Sequence, residues 1–173
     1  MWMKLCGLVC IFVSCVLSGL EMEHRLKQRW MFLWEMKETL HLLEKDMTWH
    51  RTPLPEALFS AAQVCKTPLG PMLLCCAGQI EARSGRSFGE IWRECARGEI
   101  PAGLLSEVQM QSVLDTGKAL CNTDTELQKT HLKKQEQHFE NLCAAAQEEW
   151  REKGMLYRRL SAAAGAAAVI LLL

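Results

Sequence analysis

The chain has 173 residues and a formal net charge of zero, because 20 acidic side chains balance 20 basic ones. This length accommodates about one domain, and the balanced charge gives no field from which nucleic-acid binding would be inferred. Any chemistry has to be sought among five histidines, nine cysteines and the carboxylates.

An apolar run from Leu5 to Leu20 follows the single cation Lys4. Its length suits either an uncleaved membrane anchor or a secretory signal. A signal needs a small-residue cleavage site of the A-x-A type, and Val16-Leu17-Ser18 is a poor substitute. We therefore predict an N-terminal transmembrane segment over residues 1–20.

Beyond this run, apolar residues recur at spacings of three and four, which places them on one helical face. No Gly or Pro interrupts residues 21–50, so one long helix is predicted to continue out of the first segment, with Trp34 and Trp49 off its apolar face. The residues of that face are Leu26, Trp30, Leu33, Met36, Leu40, Leu43 and Met47.

Prolines and glycines divide the middle of the chain into short helices. Thr52-Pro53-Leu54-Pro55 breaks the first helix, and Pro55 and Glu56 suit the first turn of a second helix that runs to about Cys65. Pro68, Gly70 and Pro71 indicate the next boundary, which predicts a third helix from Met72 to about Arg83.

Two further starts carry helix signals. Ser87 and Glu90 have the spacing of a capping box, which predicts a helix ending near Gly98. Ser106-Glu107 opens another helix, closed by Asn122, and Thr123-Asp124 begins the last one. The apolar face predicted for the last helix consists of Leu132, Phe139, Leu142, Cys143, Ala146 and Trp150.

The chain ends in an uncharged run, residues 160–173, preceded by Tyr157, Arg158 and Arg159. A small apolar core helix is one interpretation; a C-terminal transmembrane segment with these three residues at the membrane interface is our prediction. Basic residues flank the inner edge of both apolar runs, which predicts that residues 21–159 form a cytoplasmic helical domain. We expect an all-α bundle of about five to six helices, whose long first and last helices continue into the membrane segments.

Six cysteines lie outside the first apolar run, and none of them forms the C-x-x-C pair that is typical of zinc sites. We interpret them as small buried residues in a reducing compartment, with disulfides or a metal site as alternatives. The six are Cys65, Cys75, Cys76, Cys95, Cys121 and Cys143.

No catalytic arrangement is evident. The histidines are scattered, and the sequence contains no H-E-x-x-H zinc pair and no P-loop. The sequence therefore predicts no catalytic, cofactor-binding or metal-ligating residue, no cofactor and no small-molecule substrate.

The chain resembles the stage III sporulation protein AB family along essentially its whole length. The segment from Arg51 to Leu58, R-T-P-L-P-E-A-L, is similar to the family's hallmark between its first and second helices. Phe88 with Trp92, and Leu156-Tyr157-Arg158-Arg159-Leu160 before the apolar tail, also match family patterns. The Ala-rich tail and the many cysteines depart from the family.

This resemblance implies a component of the complex that links mother cell and forespore, located in the mother-cell membrane with its central domain facing the cytoplasm. It implies a platform for a cytoplasmic secretion-type ATPase and contacts with other proteins of that complex. The balanced charge gives no reason to expect nucleic acid as a partner. We expect the partner-binding loop to comprise Arg51, Thr52, Pro53, Leu54, Pro55 and Glu56. The alternative is a secreted or lipid-anchored helical binding domain that contains disulfides.

Overall fold

The computed structural model describes residues 2–46, 52–82, 85–120 and 125–172, and the side chains of 13–46, 52–82, 85–120 and 130–167. These residues form helices and contain no strand, which confirms the all-α prediction. The helices are α1 (Trp2–Lys45), α2 (Leu54–Val64), α3 (Leu69–Glu81), α4 (Phe88–Glu99), α5 (Glu107–Leu120), α6 (Thr125–Glu149) and α7 (Met155–Leu172), with a π-helical turn, Trp150–Gly154, between the last two.

The chain forms two compact units. Unit 1 consists of Met1–Trp30 and Ala144–Leu173, and unit 2 consists of Met31–Cys143. Helices α1 and α6 therefore each contribute to both units. Unit 2 contains α2 to α5 and the predicted partner-binding loop.

Among the described residues, no helix combines the length and the apolar character that a membrane crossing requires. The predicted segments 1–20 and 160–173 extend into side chains outside the described set. Both segments stay predictions.

The apolar face predicted for the first helix is confirmed from Leu33 to Leu43, whereas Leu26 and Trp30 are half-buried. Leu33, Met36, Leu40 and Leu43 are fully buried or nearly so, whereas Trp34, off the face, is 47% exposed. Met47 and Trp49 lie outside the described residues. The periodicity of this stretch thus identifies the side of α1 around which unit 2 packs.

Helix α3 begins at Leu69, so the predicted start at Met72 is wrong. Pro71 occupies the first turn, where a backbone N–H has no partner within the helix and its loss costs little. Gly70 also belongs to this turn, because a Cβ there would lie 3.3 Å from the carbonyl oxygens of Ala62 and Cys65. Gly70 and Pro71, two of the three residues that suggested a boundary, therefore suit a helix start in close contact with the end of α2.

A buried carboxylate fixes the connection between α2 and α3. Glu35 of α1 is 7% exposed. Its oxygens accept hydrogen bonds from the backbone N–H groups of Lys66 and Thr67, each at 3.0 Å, and from the Thr67 hydroxyl at 2.6 Å. Because the loop's amides would otherwise lack partners, Glu35 ties the α2–α3 hairpin to the first helix.

Helix α4 begins with the predicted capping box, in which Ser87 and Glu90 exchange hydrogen bonds. Its Trp92 is completely buried and donates its indole N–H to the carbonyl oxygen of Val113 at 2.8 Å. Gly117, one turn further along α5, lies directly against this ring, since a Cβ there would be 2.5 Å from Trp92 Cδ1. The absence of a side chain at Gly117 lets α4 and α5 approach closely.

The sequence predicts one long last helix that continues into the C-terminal segment, but in the structure this helix is interrupted. The π-helical turn separates α6 from α7, and its Gly154 is buried. A Cβ on Gly154 would lie 3.3 Å from both Glu23 Cγ and Trp150 Cδ1. Trp150 stacks on Trp30, with ring centroids 5.3 Å apart and an interplanar angle of 11°. These contacts hold α1 against the turn in unit 1, which a helical periodicity by itself does not indicate.

Small residues also bring α1 and α7 together. A Cβ on Gly19 would lie 2.0 Å from Ser161 Oγ, 2.5 Å from Ser161 Cβ and 3.2 Å from the carbonyl oxygen of Tyr157. Small side chains let helix backbones approach, so this contact accounts for part of the small-residue composition of α7.

We expect Gly19→Ala to destabilise unit 1 by about 1–3 kcal/mol, because the added methyl group forces α1 and α7 apart. The matched control is Gly7→Ala on the same helix, where a Cβ would have no neighbour within 4 Å. The thermal midpoint of the purified full chain in detergent should fall for Gly19→Ala and should stay the same or rise for Gly7→Ala, because alanine favours helix by about 1 kcal/mol over glycine. Equal midpoints for the two variants would contradict the close approach.

Candidate partner-binding loop and interfacial residues

The predicted partner-binding loop connects α1 to α2 in unit 2. The Thr52 amide donates to the Asp46 carbonyl oxygen at 3.2 Å, and the Pro53 carbonyl accepts from the amides of Glu56 and Ala57, both at 3.1 Å. Arg51 lies outside the described residues. The loop leads into α2 through one rigid turn, because Pro53 and Pro55 each have a fixed φ.

Among residues 52–56 of this loop, which the structure describes, the side chains of Pro53 and Glu56 are solvent-exposed. Glu56 lies in the first turn of α2, where a carboxylate is stabilised by the positive end of the helix dipole. A fixed negative charge beside a proline ring therefore faces solvent at the start of α2.

The structure adds a feature that the sequence did not indicate. Leu54 forms part of the wall of a shallow cavity of about 240 Å³, together with Ile80, Phe88 and Ile91 and the cation Arg86. Ile80 lies near the end of α3, Phe88 and Ile91 lie at the start of α4, and Arg86 lies between these two helices. Only the fold brings them beside the loop, because they are distant from Leu54 in the sequence.

The predicted interfacial residues Tyr157, Arg158 and Arg159 are all exposed on α7. Their neighbours Met155, Leu156 and Leu160 are between 54% and 57% exposed. Arg158 also lines a larger cavity of about 740 Å³ in unit 1, which includes Arg151. An exposed apolar group rimmed by cations is typical of surfaces covered by lipid or by a partner.

The cysteine prediction needs correction. Cys75 of α3 and Cys95 of α4 form a disulfide, so the interpretation as free buried thiols is wrong for this pair. The Gln79 amide donates to both sulfur atoms at 3.6 Å. Sequence spacing gave no signal, because the two residues are joined by the packing of α3 on α4. Cys121 lies outside the described residues.

Cys65 and Cys76, which form no disulfide, are poorly suited to nucleophilic chemistry. Burial raises the pKa of the Cys76 thiol to about 12. Burial also raises the pKa of Cys65, an effect that the hydrogen bond with Thr39 opposes. Because the thiolate is the reactive species, these two thiols stay protonated and unreactive at neutral pH.

One cluster of potential ligands was missed by sequence reasoning. His41 and Glu44 lie one turn apart on α1, and Glu136 of α6 faces them, with all three ligand atoms within 4.8 Å of one another. Histidine and glutamate three positions apart on a helix were the available signal. The third group is remote in sequence, so it could not be assigned before the fold was known.

Comparisons with known proteins identify one family by sequence and one similar solved structure. The family profile described as stage III sporulation protein AB matches residues 4–173. A solved structure of a stage III sporulation protein AB has a TM-score of 0.59 and 19% sequence identity, and the match covers 73% of this chain and 93% of that chain. The structural similarity at this identity indicates the fold alone. A comparison with curated proteins finds no match. Because the family profile covers nearly the whole sequence, the chain belongs to the stage III sporulation protein AB family.

Proposed function

We propose that this protein is a membrane-anchored, non-enzymatic adaptor of the sporulation complex that links mother cell and forespore. Its helical unit 2 would face the mother-cell cytoplasm and serve as a platform for a secretion-type ATPase. The observation that carries the proposal is the family match over residues 4–173. Membrane anchoring and the ATPase contact are the finer parts of this proposal.

Membrane anchoring is supported by the two apolar runs and the basic residues at their inner edges. In unit 1, large apolar side chains are exposed on both helices that carry these runs, including Val13 and Leu17 on α1 and Leu156 and Leu160 on α7. Lipid would cover such side chains at a lower free energy than water does. Arg158 and Arg159 would then lie at the cytoplasmic surface, with Tyr157 beside them.

Partner binding is supported by the form of the predicted loop. Pro53 and Glu56 are exposed on a backbone held by internal hydrogen bonds, so little conformational entropy is lost when a partner binds. The neighbouring cavity with Leu54 in its wall offers space for an apolar side chain of the partner. Arg86 at that cavity and Glu56 on the loop provide charges of both signs for orientation.

The proposal assigns no reaction to the chain. Among the described residues, three carboxylates have a lowered pKa, and each shift has a local surface cause. Hydrogen bonds with Ser87 lower the pKa of Glu90, the hydrogen bond from Lys118 lowers that of Asp115, and the hydrogen bond from Lys153 lowers that of Glu149. Capping and surface ion pairs account for these groups without a catalytic role.

A double substitution tests the loop. We expect Arg51→Ala with Glu56→Ala to weaken binding of the solubilised full chain to the complex's secretion-type ATPase at least tenfold, or about 1.4 kcal/mol. The control is Arg97→Ala with Glu99→Ala, which removes the same two residue types from exposed positions of α4. Binding can be measured by pull-down with titrated ATPase. Unchanged affinity in the loop variant, or equal losses in both variants, would exclude the loop as the docking site.

The disulfide favours a second candidate function, a secreted or lipid-anchored helical binding domain. Disulfides persist mainly in oxidising compartments, and Cys75 and Cys95 are paired here. In that case the loop would face the outside of the cell, where no cytoplasmic ATPase could reach it. The location of unit 2 therefore separates the two candidates.

A further inference from the structure

Three side chains that are separated in sequence converge on one point of unit 2. His41 Nδ1 lies 3.1 Å from Glu136 Oε1, and Glu44 lies one helical turn beyond His41 on the same side of α1. The ligand atoms of all three lie within 4.8 Å of one another. Helix α1 thus supplies one nitrogen and one carboxylate, and α6 supplies the second carboxylate.

We propose that His41, Glu44 and Glu136 form a binding site for a divalent transition metal, with Zn²⁺ as the preferred ion. Zinc binds imidazole nitrogen and carboxylate oxygen at about 2.0–2.2 Å, and a tetrahedron with such bonds has donor atoms about 3.4 Å apart. The distance between His41 Nδ1 and Glu136 Oε1 is already close to that edge. A rotamer adjustment of Glu44 completes three positions, and water takes the fourth.

The donor set determines which ion fits. Calcium and magnesium prefer sites made of oxygen ligands alone, with six or more positions to fill. An imidazole nitrogen with two carboxylates suits Zn²⁺ and its first-row neighbours instead, and two negative charges offset the charge of the ion. Three protein ligands leave one coordination position of Zn²⁺ open. Closed structural zinc sites differ, because protein side chains fill all four positions.

The contact that a metal would replace is weak. Without an ion, His41 and Glu136 form at most a partly exposed ion pair, since their side chains are 46% and 26% exposed. Exposed pairs of this kind contribute little to stability, so a metal ion has little to displace. A bound ion would connect α1 to α6 within unit 2 and stabilise that unit by its binding free energy.

Titration of the full chain in detergent with Zn²⁺, followed by calorimetry, tests the site. We expect one ion to bind to the wild type, His41→Ala and Glu136→Gln to bind at least tenfold more weakly, and His131→Ala to match the wild type. His131 is an exposed histidine on the same α6, so it controls for general histidine binding. The wild type's thermal midpoint should rise by about 5–10 °C at a hundredfold excess over Kd.

Cysteine thiols also bind zinc, so a second probe identifies the ligands. Co²⁺ should give weak visible bands without a thiolate charge-transfer band, and His41→Ala should abolish them. Three results would overturn the proposal: no binding to the wild type, equal affinity in wild type and His41→Ala, or a Co²⁺ spectrum dominated by thiolate ligation.

Discussion

Replacing Glu35 with alanine is expected to lower the free energy of unfolding by about 3–5 kcal/mol. The substitution leaves the Lys66 and Thr67 amides and the Thr67 hydroxyl without the acceptor that each of them now has. An unsatisfied buried donor costs about 1–3 kcal/mol, and the three losses are partly compensated by water that enters the space. The effect should reduce the thermal midpoint of the full chain by about 10 °C.

Two variants sharpen this test. Glu35→Gln keeps one acceptor oxygen but turns an NH₂ group toward the loop donors, so an intermediate loss is expected. Glu38→Ala, on the exposed side of the same helix, should change the free energy of unfolding by less than about 0.5 kcal/mol. If Glu35→Ala and Glu38→Ala had equal midpoints, Glu35 would not hold the α2–α3 connection.

Trp92→Ala should have a similarly large effect, about 3–5 kcal/mol, which is typical when a buried tryptophan side chain is removed. The ring is completely buried, and its N–H group bonds to Val113. The indole also fills the space over Gly117. Thermal or denaturant unfolding of the full chain measures the loss.

A double-mutant cycle with Gly117→Ala tests the direct contact between the Trp92 ring and Gly117. It separates this contact from the loss of buried apolar surface that Trp92→Ala also causes. In the wild type the added Cβ would lie 2.5 Å from Trp92 Cδ1, so Gly117→Ala should destabilise by about 1–3 kcal/mol. In the Trp92→Ala background the clash is absent, and alanine should be neutral or stabilising because it favours helix by about 1 kcal/mol over glycine. Additive effects would contradict the contact between α4 and α5.

The sequence predicted those elements whose signals are local. The apolar face of α1, the capping box of Ser87 and Glu90 and the first turn around Pro55 each depend on residues within a few positions of one another. Such patterns are determined by helix geometry and by hydrogen bonds at helix ends. The start of α3 was placed too late, because Pro71 is equally compatible with a boundary and with a first turn.

The features that the sequence did not indicate depend on contacts between helices. The π-helical turn accompanies the packing of Gly154 and Trp150 on α1, and the disulfide depends on the position of α3 beside α4. The cluster of His41, Glu44 and Glu136 likewise requires α6 to lie against α1 within unit 2. Single-sequence periodicity identifies which face of a helix is buried, but not which helix covers it.

The partner-binding loop combines both kinds of information. Its residues were predicted from the rigid turn around Pro53 and Pro55, whereas the adjoining cavity with Phe88 and Ile91 required the fold. If the loop binds a partner, an apolar side chain of that partner has a defined place beside Leu54. The cavity residues are therefore the natural next positions for substitution after Arg51 and Glu56.

The location of unit 2 tests the central claim most directly. Sporulating cells can be treated from outside with a membrane-impermeant thiol reagent, and the peptide that contains Cys121 can then be analysed by mass spectrometry. A cytoplasmic adaptor anchored at both ends predicts that Cys121 is modified only after the mother-cell membrane is permeabilised. Modification of Cys121 in intact cells would contradict the account and favour the secreted, disulfide-containing alternative.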